Sequence, residues 1–442
     1  MRKILVFCLI LCLSTVLLSA AGTRETPKAT QDAFIERAPE DYRGKITLWS
    51  FTDEPEWYIR KFNEVYPNVE VEFTHTPGGP EYIARVNAAV TAGNQPDVFS
   101  AEISWILQWI ESDRIWANIS APPFNADELT KNMIPYVREL GKDSRGNQRA
   151  LSLQATPGGF FYRRSLAKEF FGTDDPDAVS ALWPDIDSFM KVAAQVRDQS
   201  GNKVHLFSSW WDIRWFFFNA RTKPWVVDNR LVIDDVIEDY ITLAKYIRDQ
   251  NLSANAEPGT PSWTTLMQEG SVIGYVYPTW GMPFGIIPRV EPNITNPKDY
   301  TGNWAVTDGP APFFWGGTWW GISANSKNPE LSWLFLRFLT LNQDFLHTVA
   351  RERGELVSDL RVIDEVTEGF STPFLGGQNS YAFFRDAAMG INPSLVTRYD
   401  QQIEAMFRSS VSLYIDGELT RNQAIENFRD SVANAYPDIV VR

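Results

Sequence analysis

Cysteine and histidine are scarce in this chain, whose 442 residues include two cysteines and three histidines. Cys8 and Cys12 both lie in an apolar N-terminal run, and His75, His205 and His347 are far apart in the sequence. No H-E-x-x-H, C-x-x-C or paired-histidine spacing is present, so these residue types give no support for a metal site or a catalytic centre. We expect each histidine to be a surface residue or a hydrogen-bonded structural residue.

Other motifs of catalysis and cofactor binding are also missing. The sequence contains no G-x-S-x-G, no G-x-x-x-x-G-K-[ST], and no G-x-G-x-x-G between a predicted strand and a predicted helix. Carboxylates are plentiful, which leaves a two-carboxylate glycosidase open by residue type, but no spacing favours one pair. The sequence therefore predicts no catalytic residue, no metal ligand and no cofactor.

Residues 1–21 have the pattern of a secretory signal peptide, with a basic start, an apolar run and small residues up to Ala21. The run is too short for a convincing membrane span. Cleavage after Ala21 would remove both cysteines, and Cys12 stands inside the run rather than at its end, which disfavours a lipid anchor. We therefore expect a periplasmic protein in which the polar segment 22–43 is a linker into the fold.

Acidic residues outnumber basic ones. Loss of Arg2 and Lys3 with the signal peptide would leave 39 basic against 55 acidic residues, a net charge of −16. This charge disfavours nucleic acid and anionic membrane surfaces as partners, but it does not distinguish a neutral from a cationic ligand. The remaining 421 residues exceed one ordinary hydrophobic core, so we expect two domains.

Strand and helix patterns alternate in the first part of the chain. An apolar strand over 45–51 precedes a helix that ends at Pro67, and Val69–Phe73 alternates as a half-buried strand does. A second helix closes at Gly93, and another strand starts at Asp97. The alternation predicts an α/β domain with a largely parallel sheet.

Two helix starts are predicted near the C-terminus. Asn328 is expected to cap a helix whose first residue is Pro329. Thr420 and Gln423 have the spacing of a capping box.

Tryptophan is abundant, with seventeen residues in the chain, and several stand beside turn residues. Trp280 lies in Tyr277-Pro-Thr-Trp-Gly281, and three more lie in Trp315-Gly-Gly-Thr-Trp-Trp-Gly321. An indole on a loop offers a flat apolar face and an N–H donor, which suits the C–H face of a sugar ring. We expect about half of the tryptophans to be ordinary core residues.

Five blocks of sequence, in this order, resemble the extracellular solute-binding proteins of ABC sugar importers, the maltodextrin-binding-like family 1. The blocks are Ile46-Thr-Leu-Trp-Ser50 with Phe62-Asn-Glu-Val-Tyr-Pro-Asn-Val69, Ala88-Ala-Val-Thr-Ala-Gly-Asn-Gln-Pro-Asp-Val-Phe99, Gly158-Gly-Phe-Phe-Tyr-Arg-Arg164, Met267-Gln-Glu-Gly-Ser-Val-Ile-Gly274 running on to Trp280, and Gly316-Gly-Thr-Trp-Trp-Gly-Ile-Ser323 with Ser326-Lys-Asn-Pro-Glu330. The resemblance spans essentially all of 45–440.

The resemblance implies an α/β fold of the type II periplasmic-binding-protein class, in which two α/β lobes are joined by crossing hinge segments and hold the ligand between them. We place the first lobe at 44–153 plus 308–358 and the second at 154–307 plus 359–442. The implied function is that of a substrate-binding component, a monomer that closes on a carbohydrate and delivers it to permease subunits.

Candidate ligand-binding residues of the first lobe are carboxylates after predicted strands. Asp53 and Glu54 follow the first strand and Glu102 follows the third, where the carboxyl ends of parallel strands meet. The alternatives are that Asp53 or Thr52 caps the next helix and that Glu102 is a solvated loop residue.

Tryptophans supply the other candidates. Trp280 matches the sugar-stacking tryptophan that the resemblance implies, followed by Trp315 and by one of Trp319 and Trp320. Strand alternation sends these last two to opposite faces.

In the second lobe, Trp211 and Asp212 are candidates. At helical spacing, however, Trp211, Trp215 and Phe218 also fit an ordinary packed face.

Two other functions stay open at this point. A carboxylate together with an aromatic box would also bind a polyamine or another cationic amine through cation–π contacts, or a peptide. A secreted carbohydrate-active enzyme is the third alternative.

Overall fold

The computed structural model describes residues 33–290 and 301–442. The predicted signal peptide and the first part of the predicted linker lie outside the described residues. The strands are β1 (Gly44–Ser50), β2 (Val69–His75), β3 (Val98–Glu102), β4 (Ala150–Leu151), β5 (Gly158–Arg163), β6 (Val226–Val227), β7 (Arg230–Leu231), β8 (Gly274–Pro278), β9 (Trp304–Thr307) and β10 (Thr318–Ile322). The helices are α1 (Pro55–Val65), α2 (Pro80–Ala92), α3 (Ile103–Trp109), α4 (Ala126–Leu129), α5 (Pro135–Leu140), α6 (Arg164–Phe171), α7 (Pro176–Ser180), α8 (Ile186–Gln199), α9 (Arg214–Asn219), α10 (Asp235–Asp249), α11 (Pro261–Glu269), α12 (Ile287–Val290), α13 (Pro329–Leu341), α14 (Gln343–Arg353), α15 (Leu360–Thr367), α16 (Ser380–Met389), α17 (Asp400–Ile415) and α18 (Arg421–Ala435).

Two larger sheets organise the α/β fold. The first has the strand order β2-β1-β3-β10-β4 and the second the order β8-β5-β9, while β6 and β7 form a short hairpin. In the first sheet β1 pairs in parallel with β2 and β3, but β10 runs antiparallel to β3 and β4. The second sheet is antiparallel. The predicted α/β class is confirmed, whereas among the strands of the described residues parallel pairing occurs only between β1 and its neighbours β2 and β3.

Local sequence signals explain where several of these elements begin and end. Helix α2 ends at Gly93, whose φ of 68° is a left-handed conformation that glycine adopts without strain. The predicted capping box of α18 is present, since Thr420 and Gln423 exchange side-chain and backbone hydrogen bonds. Pro329 begins α13 as predicted, but the Asn328 side chain does not cap it and instead donates to the carbonyl of Lys45 at 3.0 Å.

Adjacent stretches of chain connect the two sheets. The amide of Ala155 donates to the carbonyl of Leu356 at 2.8 Å, and the amide of Gly158 donates to the carbonyl of Phe313 at 2.8 Å. The stretch from β4 to β5 and the stretch from β9 to β10 each join strands of different sheets, which is the arrangement of crossing segments between two lobes. The residue boundaries of the lobes stay a prediction.

The described end of the predicted linker, residues 33–43, packs on the first lobe. Arg37 forms an ion pair with Glu330 at 2.6 Å, and the Phe34 ring meets Phe124 edge to face at 5.6 Å. Within residues 33–290 and 301–442, no helix has the length and apolar character needed to cross a bilayer.

The tryptophans of this fold form two groups, one buried and one partly exposed. Twelve of the seventeen are buried, more than the half expected from the sequence: Trp105, Trp109, Trp116, Trp183, Trp210, Trp211, Trp225, Trp263, Trp304, Trp319, Trp320 and Trp333. Of the five that keep partial exposure, Trp49 and Trp57 lie on the first lobe, and Trp215, Trp280 and Trp315 lie together.

Candidate ligand-binding cleft

A cavity of about 590 Å³, here called the main cavity, opens between the carboxyl edge of the first sheet and loops of the second lobe. The parallel strands β1, β2 and β3 end at the same edge, so the residues that follow them share one wall. The lining residues are Phe51, Thr52, Asp53, Glu54, His75, Glu102, Gln154, Trp280, Phe284, Trp315, Gly316, Gly317 and Thr318. Five predicted site residues therefore lie around one space: Asp53, Glu54, Glu102, Trp280 and Trp315.

Trp280 and Trp315 form the aromatic wall of the main cavity. The indole N–H of Trp280 donates to the carbonyl of Trp315 at 3.1 Å, and the two rings are 4.6 Å apart at 67°. Trp315 also stacks with Tyr277 at 6.0 Å and 14°, and with Trp215 at 5.0 Å and 26°. Because ring packing already holds both indoles, a ligand stacking on them would lose little side-chain freedom of the protein.

Glu102 and Glu54 form the carboxylate wall. Glu102 ends β3 and caps α3, because its Oε2 accepts from the amide of Ser104 at 2.9 Å and also from the Ser104 hydroxyl. Burial raises the pKa of Glu102 above its ordinary value. The cap fixes this carboxylate beside the cavity, so the alternative of a solvated loop residue does not describe it.

Glu54 belongs to a buried charge cluster. Its Oε1 accepts from Nη2 of Arg353 at 3.0 Å, and Nε of Arg353 donates to Glu355 Oε1 at 2.6 Å. Two carboxylates thus share one guanidinium. Burial, followed by the charge of Glu54, raises the pKa of Glu355 to about 7, and burial raises that of Glu54. Glu54 lines the main cavity and Glu355 lies in the crossing segment that follows α14, so the cluster connects the two.

The alternative of helix capping at the end of β1 is not observed. Glu54 is the residue before α1, and no side chain caps the first turn, which starts with Pro55. The Thr52 hydroxyl is within hydrogen-bond distance of Ser50 Oγ at 3.3 Å, and Asp53 is exposed in the cavity.

A second space of about 230 Å³, here called the inner chamber, adjoins the main cavity. The two share Glu102, Trp315 and Gly316 as lining residues. The rest of the chamber is lined by Ile103, Ser104, Trp215, Phe218, Asn219, Arg221, Phe314, Leu395, Val396, Thr397, Asp400, Gln401 and Glu404. Residues from α3, α9 and α17 thus meet behind the aromatic wall.

Trp211 and Asp212 line neither space. Asp212 is 3 % exposed, its carboxylate accepts from the Ser208 hydroxyl at 2.9 Å, and burial raises its pKa to about 7. The Trp211 ring packs edge to face against Trp210 at 5.2 Å and against Phe218 at 5.9 Å. For these two residues the alternative of a packed face describes what is observed.

Trp319 and Trp320 are both buried, each 1 % exposed, and neither lines the cleft. They do point to opposite faces of β10, as alternation requires, but both faces of the first sheet are covered. The Trp319 N–H donates to the carbonyl of Val137 at 3.0 Å. The expectation that one of the two faces the ligand is therefore corrected.

Several lining residues were missed by the sequence analysis. The helical spacing predicts Trp215 only as part of a packed face, yet it stacks on Trp315 and borders the inner chamber. His75 at the end of β2, Gln154 three residues after β4 and the exposed Phe284 also line the main cavity. The strand ends could have indicated His75, whereas nothing local marks Gln154 or Phe284.

The family of the chain is decided by its sequence profile. Residues 57–351 match the profile described as bacterial extracellular solute-binding protein. The chain belongs to this family. The solute-binding proteins of this family act outside the cytoplasm, and the family is not one of enzymes.

Solved structures with the same fold include other solute-binding proteins. A crystal structure of an extracellular solute-binding protein of family 1 has a TM-score of 0.76 and 17% identity, covering 88% of this chain and 99% of its own. The GacH receptor of Streptomyces glaucescens, solved unliganded and with acarbose, has a TM-score of 0.69 and 18% identity, covering 90% of this chain and 100% of its own. The sugar-binding protein MalE of Xanthomonas citri has a TM-score of 0.70 and 14% identity, covering 89% of this chain and 98% of its own. These similarities confirm the type II periplasmic-binding-protein fold.

Proposed function

We propose that this solute-binding protein is the substrate-binding component of an ABC sugar importer, capturing a carbohydrate in the cleft and delivering it to permease subunits. The observation that carries the proposal is the main cavity, in which an aromatic wall faces carboxylates and the Gln154 amide. A sugar ring needs both, because its C–H face stacks on an indole and its hydroxyls need partners. A buried hydroxyl without a partner costs about 1–3 kcal/mol.

The residues proposed to contact the sugar are Asp53, Glu54, Glu102, Trp280 and Trp315, with Gln154 added from the cavity lining. The GacH receptor, solved with acarbose, and the sugar-binding protein MalE are similar structures that support a carbohydrate as the ligand. We further propose that the protein acts in the periplasm as a monomer, without turnover or cofactor, after cleavage of the signal peptide.

The test is a ligand screen on the exported protein, with intrinsic tryptophan fluorescence and thermal unfolding as readouts. The panel contains mono- and oligosaccharides together with putrescine and spermidine. A ligand at one hundred times its Kd adds about 2.7 kcal/mol to the free energy of unfolding, which a melting curve resolves. We expect a sugar series to bind, to shift the emission of Trp280 and Trp315, and to be recovered chemically unchanged.

Three results would contradict the proposal. Binding of the amines alone, weakened by added salt, would indicate a receptor for cations. Chemical conversion of the bound sugar would indicate an enzyme. No binding across the panel would point away from sugars altogether.

A further inference from the structure

The inner chamber has an acidic side formed by the first turn of α17. Asp400 and Glu404 are one helical turn apart, and both line the chamber together with Glu102. Asp400 accepts from the Thr397 hydroxyl, and its Oδ2 lies 3.9 Å from Nη2 of Arg221. Glu404 forms no ion pair with a lysine or arginine of the described residues.

The carboxylates of this side are incompletely neutralised. Burial, opposed by Arg221, raises the pKa of Asp400 to about 6, and burial together with Asp400 raises that of Glu404 to about 7. Arg221 and then Arg214 oppose this rise in the pKa of Glu404, but the Arg214 guanidinium lies over the Trp215 ring at 4.1 Å. Neighbouring buried carboxylates are unfavourable unless a proton or a cation accompanies them.

Two residues that line the same chamber, Arg221 and Trp215, each carry a buried N–H donor without a partner. Arg221 is 6 % exposed; its Nε donates to the Phe218 carbonyl at 2.7 Å, but its Nη1 has no partner. The indole N–H of Trp215 is likewise buried without a partner. Each of these N–H groups needs an acceptor atom that the surrounding protein does not supply.

The chamber therefore offers three kinds of contact at once. Glu404 and Asp400 would bind a positive charge, Arg221 and Trp215 would donate to oxygen atoms, and the stacked Trp215 and Trp315 rings lie beside them. A simple diamine has no oxygen for the donors, and a neutral sugar brings no charge for the carboxylates. A sugar ring with an amino group satisfies both. The volume of about 230 Å³, smaller than that of the main cavity, suits a single ring.

We propose that the inner chamber is a subsite for one amino-sugar ring, whose protonated amine lies against Asp400 and Glu404 and whose hydroxyl oxygens accept from Arg221 and Trp215. The proposal rests on the proposed function, because the chamber opens from the main cavity through the shared residues Glu102, Trp315 and Gly316. It deepens that function by naming basic sugars as the preferred substrate class.

The test compares matched sugars by titration calorimetry at pH 6.5 and low salt. Glucosamine, galactosamine, mannosamine and the disaccharide of glucosamine are each measured against the parent sugar with a hydroxyl and against the N-acetylated form. We expect the best amino sugar to bind at least tenfold more tightly than both of its neutral counterparts. Glu404→Gln should weaken binding of the amino sugar much more than binding of the neutral sugar, which reduces this preference to within about threefold.

Two further variants make the result specific. Asp400→Asn serves as the second test if Glu404→Gln does not fold, and Glu64→Gln is the control that removes an exposed acidic charge from α1. Neutral sugars that bind as tightly as their amino forms would overturn the subsite and leave the proposed function intact. A preference that survives both chamber variants would also overturn it. If no sugar binds, with or without an amino group, the proposed function fails together with the subsite.

Discussion

On the aromatic wall, Trp280 and Trp315 are held by ring packing, whereas on the carboxylate wall Glu54 and Glu102 are held by an ion pair and a helix cap. Ring packing does not depend on protonation and is little affected by salt. The carboxylates share buried surroundings in which a proton competes with the ionised form. We therefore expect the aromatic wall to supply most of the affinity for the proposed sugar and the carboxylate wall to make the protein sensitive to pH.

The largest effect is expected for Trp280→Ala. Loss of the indole removes a stacking face and the hydrogen bond to Trp315, so affinity for the sugar identified in the screen should fall about a hundredfold, roughly 2–3 kcal/mol. Titration calorimetry measures the change. Trp49→Ala is the control, because Trp49 is also half-buried but its ring packs under the Arg85 guanidinium at 4.3 Å and lines neither the main cavity nor the inner chamber. Equal losses of affinity in the two variants would contradict the role of the aromatic wall.

The pH dependence of stability is expected to change in Glu355→Gln. The folded-state pKa of Glu355, about 7, lies above the value of about 4.3 for an unfolded chain, so its contribution to stability is complete below about pH 4 and is lost as the pH rises towards 7. The glutamine carries no proton to lose. When the pH rises from 5 to 8, the free energy of unfolding of the wild type should therefore fall by on the order of 1–3 kcal/mol more than that of the variant, as measured by urea unfolding.

The control for this pH dependence is Glu64→Gln, at an exposed position of α1. Its stability should follow the wild type across the same range. If Glu355→Gln also follows the wild type, the buried cluster with Arg353 does not carry the pH dependence.

A smaller effect is expected for Gly316→Ala. Gly316 has a φ of 78°, and an added Cβ would lie 2.7 Å from Nε1 of Trp280, so the indole would have to move. We expect about a tenfold loss of affinity, roughly 1.4 kcal/mol. Gly369→Ala is the matched control, since its φ of 75° carries the same strain but nothing lies within 4 Å of its Cβ. Gly316→Ala should lose more stability than Gly369→Ala because the collision with Trp280 adds to the backbone strain, and a similar loss of affinity in both variants would show that backbone strain alone is responsible.

The smallest change in affinity is expected for Asp212→Asn. This carboxylate lies in the second-lobe core, so sugar binding should stay within about twofold of the wild type. Asp53→Asn, in the main cavity, is the comparison and should weaken binding several-fold through a lost hydrogen bond of roughly 1 kcal/mol. A larger loss of affinity in Asp212→Asn than in Asp53→Asn would indicate that the sugar binds at the loop around Asp212 and not beside Asp53.

Much of the fold could be predicted from local sequence. The periodicity of α1, the alternation of β2 and the glycine after α2 are signals within a few residues, and the structure has these elements where they were predicted. The candidate site was only partly predicted. Parallel strands bring Asp53, Glu54 and Glu102 to one edge, but nothing local separates the cleft tryptophan Trp215 from the buried Trp211.

The sequence by itself determined the alternating strands and helices of the first part of the chain, the capping box of α18 and the family, because these depend on local spacing and on blocks of neighbouring residues. Only the tertiary structure decided which indoles stay open to the cleft and which carboxylates share a cation. Arg353 reaches Glu54 from 299 positions away, and Arg221 lies near Asp400 on a helix much later in the chain. Such contacts depend on how the lobes pack. Periodicity in the sequence shows that an aromatic residue will be buried, but it does not show which residues will surround an aromatic ring or a carboxylate.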